Sequence, residues 1–96
     1  MNSLFDLLGS KWIPELITIF GLHQRLRYSE IEDHLQKISP SVLSTRLKKL
    51  EHHGYLKRVR YNESPPKVEY FLTASGLKLW ENFRQLFAED FSAVNR

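Results

Sequence analysis

Residues 27–54 read RYSEIEDHLQKISPSVLSTRLKKLEHHG, and the punctuation of that stretch decides the fold. Ser39 is a good helix N-cap, and Pro40 falls at the first helical position, where its missing amide is least needed. From there Leu43, Leu47 and Leu50, helped by Val42, recur at i, i+4 and i+7. The stripe predicts a helix that runs to His53 and stops at Gly54. The opposite face carries Ser41, Ser44, Thr45, Lys48 and Glu51, with Arg46 and Lys49 beside it. Just upstream, Ser29 with Glu32 three residues on reads as a capping box. It opens a shorter helix that turns Ile31 and Leu35 inward and ends near Gln36 or Lys37.

Two short helices joined by three or four residues, the second bearing small polar and basic side chains, form the physical pattern of a helix-turn-helix. Tyr55 to Tyr61 then alternates loosely around Val59 and reads as a strand. Asn62 to Lys67, with Pro65 and Pro66, reads as a turn, and Val68 to Leu72 as the returning strand. This hairpin carries Arg58, Arg60 and Lys67 near its tip and amounts to a basic wing. Thr73 caps a last helix reaching about Phe91. On the other side, Lys11 to Phe20 shows helical spacing with Pro14 in its first turn, and Gly21 is expected to end it. Leu26 to Tyr28 reads as a very short strand or extended connector, and Ser3 to Leu8 as a short helix. The class expected is α+β, mainly α: a winged helix-turn-helix with a two-stranded β-hairpin wing and helices at both ends.

The chain has 96 residues, 42% of them apolar and 26% charged, which suits one domain over residues 1–96. There is no cysteine, so a disulfide scaffold, a thiol nucleophile and a thiolate metal site are excluded. No apolar run approaches the ~20 residues that cross a bilayer, and the start lacks a secretory signal pattern. A soluble cytoplasmic protein with no membrane partner is the expectation. His23, His34, His52 and His53 make no recognised ligand spacing, and no phosphate-binding glycine loop is present. No enzyme, metal or cofactor is expected, and His52 and His53 read as exposed polar side chains compatible with the negative end of the helix dipole. The net charge of +3 is unevenly spread: Lys37 to Lys67 holds eight bases and two acids, between two mildly acidic flanks. That block is either a solvated face or a surface for a polyanion.

Several short signatures in order now carry a family likeness. They are Lys11-Trp12, Arg27-Tyr28-Ser29-Glu30-Ile31, Ile38-Ser39-Pro40, Leu43, Arg46-Leu47, Leu50-Glu51, Gly54-Tyr55-Leu56 and Arg58. Pro65-Pro66-Lys67-Val68-Glu69-Tyr70 and Leu72-Thr73-x-x-Gly76-x-x-Leu79 complete the set. Over about residues 10–80 the chain resembles the HxlR-type winged helix-turn-helix transcriptional regulators, relatives of the MarR-like repressors. The resemblance implies a homodimeric prokaryotic DNA-binding regulator that dimerises through its terminal helices, here residues 1–9 and 74–92. Many members carry a cysteine shortly before the Lys-Trp pair, and in several it senses oxidants. Here that stretch is Phe5-Asp6-Leu7-Leu8-Gly9-Ser10, so thiol sensing is chemically impossible in it.

In a helix-turn-helix the second helix enters the major groove of double-stranded DNA by its N-terminal end. Ser39, Ser41, Ser44 and Thr45 are small enough for close approach, Arg46 is suited to a guanine edge or to a phosphate or acid, and Lys48 and Lys49 suit phosphate. Arg58, Arg60, Asn62 and Lys67 would lie along the wing on flanking DNA. Arg27 would grip phosphate or pair with Glu30 or Glu32. Leu4, Phe5, Leu8, Leu77, Trp80, Phe83, Phe87 and Phe91 are the dimer candidates, with Leu79 and Leu86 widening the stripe. Trp12, Phe20 and Trp80 would line either a small effector pocket or ordinary core. The alternative function is a winged-helix protein-interaction or architectural module that reads no sequence.

Overall fold

The structure is a computed structural model that describes the backbone of residues 4–94 and the side chains of residues 4–86. The described elements are α1 (Leu4–Leu8), α2 (Ile13–Leu22), α3 (Tyr28–His34), α4 (Pro40–His52), β1 (Leu56–Tyr61), β2 (Lys67–Leu72) and α5 (Ala74–Val94). This is the mainly helical fold with a two-stranded wing that the sequence predicts.

The ends of α4 are set by local chemistry. The Ser39 hydroxyl accepts the Val42 amide at 3.3 Å, and Pro40 opens the helix. At the other end Gly54 adopts φ +80, the left-handed conformation that glycine takes without a Cβ penalty. The Gly54 amide donates to the Glu51 carbonyl and the Tyr55 amide to the Leu50 carbonyl, a Schellman pair that turns the chain into β1. Leu43, Leu47 and Leu50 are buried, as the stripe requires.

Helix α3 begins earlier than the Ser29 cap predicts. Leu26 exchanges both backbone hydrogen bonds with Tyr70, at 3.0 and 2.8 Å, so the extended connector ends there and the chain turns at once. Arg27 becomes the N-cap, and its amide donates to the Glu30 carboxylate at 2.7 Å; Glu30, not Glu32, closes the first turn. Helix α2 is likewise displaced. Trp12 is its N-cap in a left-handed conformation, φ 78, and the helix runs on through Gly21 to Leu22. Gly21 does not end the helix because it serves packing: a Cβ there would lie 2.2 Å from Trp80 Cδ2. The missing side chain is what lets α5 seat its indole against α2.

In the hairpin Leu56, Arg58 and Arg60 pair with Leu72, Tyr70 and Val68 on one face, and Lys57, Val59 and Tyr61 pair with Phe71, Glu69 and Lys67 on the other. The first face meets the core through Leu56, Tyr70 and Leu72. Thr73 then caps α5: its hydroxyl accepts the Gly76 amide at 3.1 Å and donates to the Gly54 carbonyl at 2.6 Å, tying the starts of β1 and α5 together. The core joins Leu7 of α1, Ile13, Leu16, Ile17 and Phe20 of α2, Ile31 of α3, the α4 leucines and the inner face of the wing.

Candidate nucleic-acid interface

A helix advances about 100° per residue, so the polar residues of α4 fall into three strips around its buried leucines. Ser41, Thr45, Lys48 and His52 form the outermost strip, and all are exposed. Ser44 and Glu51 lie on the flank facing the wing. There they line a groove of about 410 Å³ together with Leu47, Lys48, Arg58 and Tyr70. Arg46 and Lys49 lie on the other flank, half-buried, beside the turn between α1 and α2.

The hydroxyls have defined internal work. Thr45 Oγ1 donates to the Ser41 carbonyl at 2.8 Å, which leaves its lone pairs and methyl for anything outside. The Tyr28 hydroxyl donates to the Pro40 carbonyl at 3.1 Å and lies 3.3 Å from Ser44 Oγ, which then acts as donor to it. Tyr28 therefore pins α3 to the first turn of α4, a role that the sequence does not announce, because nothing in the spacing shows the two helices crossing there.

The basic residues separate in the same way. Lys48 and Arg58 border the groove, and Arg60 is exposed further along the hairpin face that carries Arg58. Lys67 is on the opposite face of the hairpin, its ammonium 3.7 Å from the Glu69 carboxylate and 5.2 Å from the Tyr61 ring centre. Arg25, which the sequence reading passes over, joins that cluster. Its guanidinium donates to the Tyr61 hydroxyl at 2.8 Å, sits 3.6 Å from Glu69 and covers the Phe71 ring at 4.4 Å. No local signal marks Arg25, since only the pairing of Leu26 with Tyr70 brings it to the wing. Arg27 is exposed at the start of α3 and Asn62 just beyond β1.

Arg46 has a partner that the sequence does not announce. Its Nε–H donates to the Lys11 carbonyl at 2.8 Å. Lys49 donates to Ser10 Oγ at 2.9 Å. The histidines also differ from a plain surface pair. His53 is half-buried, with Nδ1 2.9 Å from the Lys49 carbonyl and its ring stacked on Tyr55. Among the described residues no group of three His, Cys, Asp or Glu is placed to hold a metal ion, and no helix is long and apolar enough to cross a membrane.

The model of the family described as HxlR-like helix-turn-helix matches residues 7–92. The chain belongs to that family. Among its curated relatives, the HTH-type transcriptional regulator BH0655 of Halalkalibacterium halodurans is 40% identical over 68 residues, 71% of this chain and 60% of that protein. The solved structure of YtcD, a regulator of Bacillus subtilis, is 32% identical, covers 99% of this chain and 100% of that one, and superposes with a TM-score of 0.82. The reduced form of the B. subtilis transcriptional regulator YodB is 33% identical, with coverage of 92% and 90% and a TM-score of 0.77. The chain thus spans somewhat under two thirds of BH0655 and the whole of the YtcD structure. An HxlR-like chain is a winged helix-turn-helix DNA-binding regulator, not an enzyme; α3 and α4 are the helix-turn-helix of this chain and β1–β2 is its wing.

Of the segments anticipated for dimerisation, the HxlR-like match takes in residues 7–9 and 74–92. Leu4, Phe5 and Leu77 are exposed, Phe5 to 85%, and Leu86 and Leu22 join them at 64% and 67%. Leu8, Trp80 and Phe83 are half-buried and pack on the core. Phe87 and Phe91 belong to α5 but lie outside the residues whose side chains are described. Trp12 and Trp80 pack against the core and Phe20 lies within it, which favours packing over an effector pocket for all three.

Proposed function

We propose that the protein is a dimeric repressor that recognises a partly palindromic operator. The strip Ser41, Thr45 and Lys48 faces the major groove, and Arg58 and Arg60 reach flanking DNA. The observation that carries this reading is the convergence of Lys48 and Arg58 on the groove between α4 and the wing, with Arg60 exposed on the same face of the hairpin as Arg58. A solvated face has no need of such convergence, whereas a phosphate-lined duplex does. Residues 1–96 act as one unit, in which the segments 1–9 and 74–92 bring two copies together. Exposed Phe5, Leu77 and Leu86 support that arrangement, because large apolar side chains left exposed on the terminal helices suit a partner surface. Two copies related by a two-fold axis present their recognition helices one helical turn, ~34–36 Å, apart on one face of DNA. Repression then needs only occlusion of a promoter.

The test is selection from a random double-stranded DNA library with excess competitor at ~0.15 M salt, near physiological screening. An enriched inverted repeat with half-sites one turn apart is the expected outcome. Retention without an enriched motif would mean an architectural binder. No retention by folded protein would favour a protein-interaction module.

A further inference from the structure

Two cations of α4, Arg46 and Lys49, are turned away from the groove that Lys48 shares with Arg58. They lie one turn apart on one flank, and both reach the same four-residue connection between α1 and α2. Arg46 Nε–H donates to the Lys11 carbonyl at 2.8 Å, and the Lys49 ammonium donates to Ser10 Oγ at 2.9 Å. Ser10 passes the link on, since its hydroxyl donates to the Asp6 carbonyl of α1 at 3.0 Å. The connection itself is held in one shape. Ile13 donates to the Ser10 carbonyl at 3.3 Å and Leu16 to the Trp12 carbonyl at 2.9 Å. Trp12 sits at φ 78 with Lys11 5.6 Å from its ring centre. A tryptophan held left-handed is a conformation that persists only where the surroundings over-determine it.

We infer that Arg46 and Lys49 are positioning residues: they serve DNA binding by fixing the rotation and height of α4 against the α1–α2 turn, not by touching DNA. This rests on the reading of α4 as the helix that enters the major groove. A single tether would let α4 roll about the contact; two tethers a turn apart remove that freedom and set which strip, Ser41-Thr45-Lys48, faces outward. The nitrogens are suited to the task. The guanidinium offers an N–H part-way along its stem, which a lysine in the same place lacks, and the ammonium of Lys49 is drawn to a hydroxyl oxygen that already donates elsewhere. The Lys49–Ser10–Asp6 link joins α4 to α1, whose Leu4 and Phe5 stand exposed, so the seat of α1 and the attitude of the recognition helix are mechanically connected.

The experiment measures affinity against salt concentration for the DNA most enriched in the selection, with wild type, Ser10→Ala, Lys49→Met, the double variant, Arg46→Lys and Arg46→Met. Circular dichroism verifies folding of each. A phosphate contact contributes about 0.9 to the slope of log affinity against log salt; a positioning residue contributes none. Lys48→Met is the reference for a contact and should lose that slope. For Ser10→Ala and Lys49→Met the expected result is a three- to tenfold loss of affinity, roughly that of one hydrogen bond, at unchanged slope. The double variant should be no worse than either single one. Arg46→Lys, which keeps the charge, should fall as far as Arg46→Met. The inference is overturned if Lys49→Met lowers the slope by about one while Ser10→Ala binds like wild type, or if Arg46→Lys restores binding. Failure of the wild type to bind any DNA is a separate result, and it removes the reading on which the inference stands.

Discussion

The seam between α2 and α5 makes a quantitative test of how the body of the molecule is packed. At Gly21 an added Cβ would lie 2.2, 2.3 and 2.6 Å from three atoms of the Trp80 indole. Ordinary carbon contacts are about 3.5–4.0 Å, so Gly21→Ala forces the ring, and α5 with it, outward by more than an ångström. Overpacking of this kind costs about 1–3 kcal/mol. Against it stands the helix propensity of alanine, worth up to about 1 kcal/mol over glycine and less so near a helix end. Since Gly21 is the second-last residue of α2, the clash dominates. Gly21→Ala is expected to destabilise by roughly 1–2 kcal/mol, the difference between those two terms. In a Trp80→Ala background the obstacle is gone and the same substitution should be neutral or slightly stabilising. Urea denaturation of the four proteins, at one fixed protein concentration because self-association adds apparent stability, gives the coupling directly. Equal penalties in both backgrounds would refute the argument, for they would place the cost of the alanine in something other than the indole.

The remaining expectations come from single contacts. Gly54→Ala meets no atom within 4 Å, so it should cost only the left-handed backbone penalty of about 1–2 kcal/mol, read as a lower midpoint at unchanged denaturant slope. Thr73→Ala removes the cap of α5 and the bond to the Gly54 carbonyl and should cost about 1–2 kcal/mol, while Thr73→Ser should recover most of it; thermal unfolding distinguishes them. Phe5→Glu places a charge on a side chain that is 85% exposed. It should leave helical content intact and shift sedimentation toward the monomer, and an unchanged sedimentation coefficient in a dimeric background would remove α1 from the interface.

What could be read in the chain before its fold was known divides along a physical line. Signals that act within a few residues were legible: Ser39 with Pro40, the Leu43-Leu47-Leu50 stripe, Gly54, Thr73 and the alternation of the wing all stand in the structure where their local chemistry puts them. Signals that depend on a distant neighbour were not. Ser29 is a sound N-cap in isolation, but the pairing of Leu26 with Tyr70, 44 positions away, starts the helix sooner. Gly21 looks like a helix end until Trp80 is laid against it. A helical wheel sets Arg46 and Lys49 beside the face that carries Lys48 but does not say which flank meets the α1–α2 turn, and it is the fold that takes them away from that face.

The separation changes what the basic block means. By count, Lys37 to Lys67 offers eight cations to a polyanion. In the fold Arg46 and Lys49 are bound to the α1–α2 turn, Lys67 is paired with Glu69, Lys57 shares that same outer hairpin face, and Lys37 lies in the turn before α4. Lys48 and Arg58 are left at the groove, with Arg60 exposed on the same face of the wing. At about 0.9 of salt slope for each phosphate neutralised, three such contacts give a protomer a slope near −3, where eight would give about −7. Affinity that rests so little on counterion release must draw the rest from contacts that salt does not weaken. The groups placed to make them are the uncharged ones on the outer strip, Ser41 and the methyl of Thr45, whose reach depends on the attitude of α4. In this molecule two of the three lysine and arginine residues of the recognition helix therefore bear on DNA by holding that helix still, and composition alone overstates the charge that a duplex would meet.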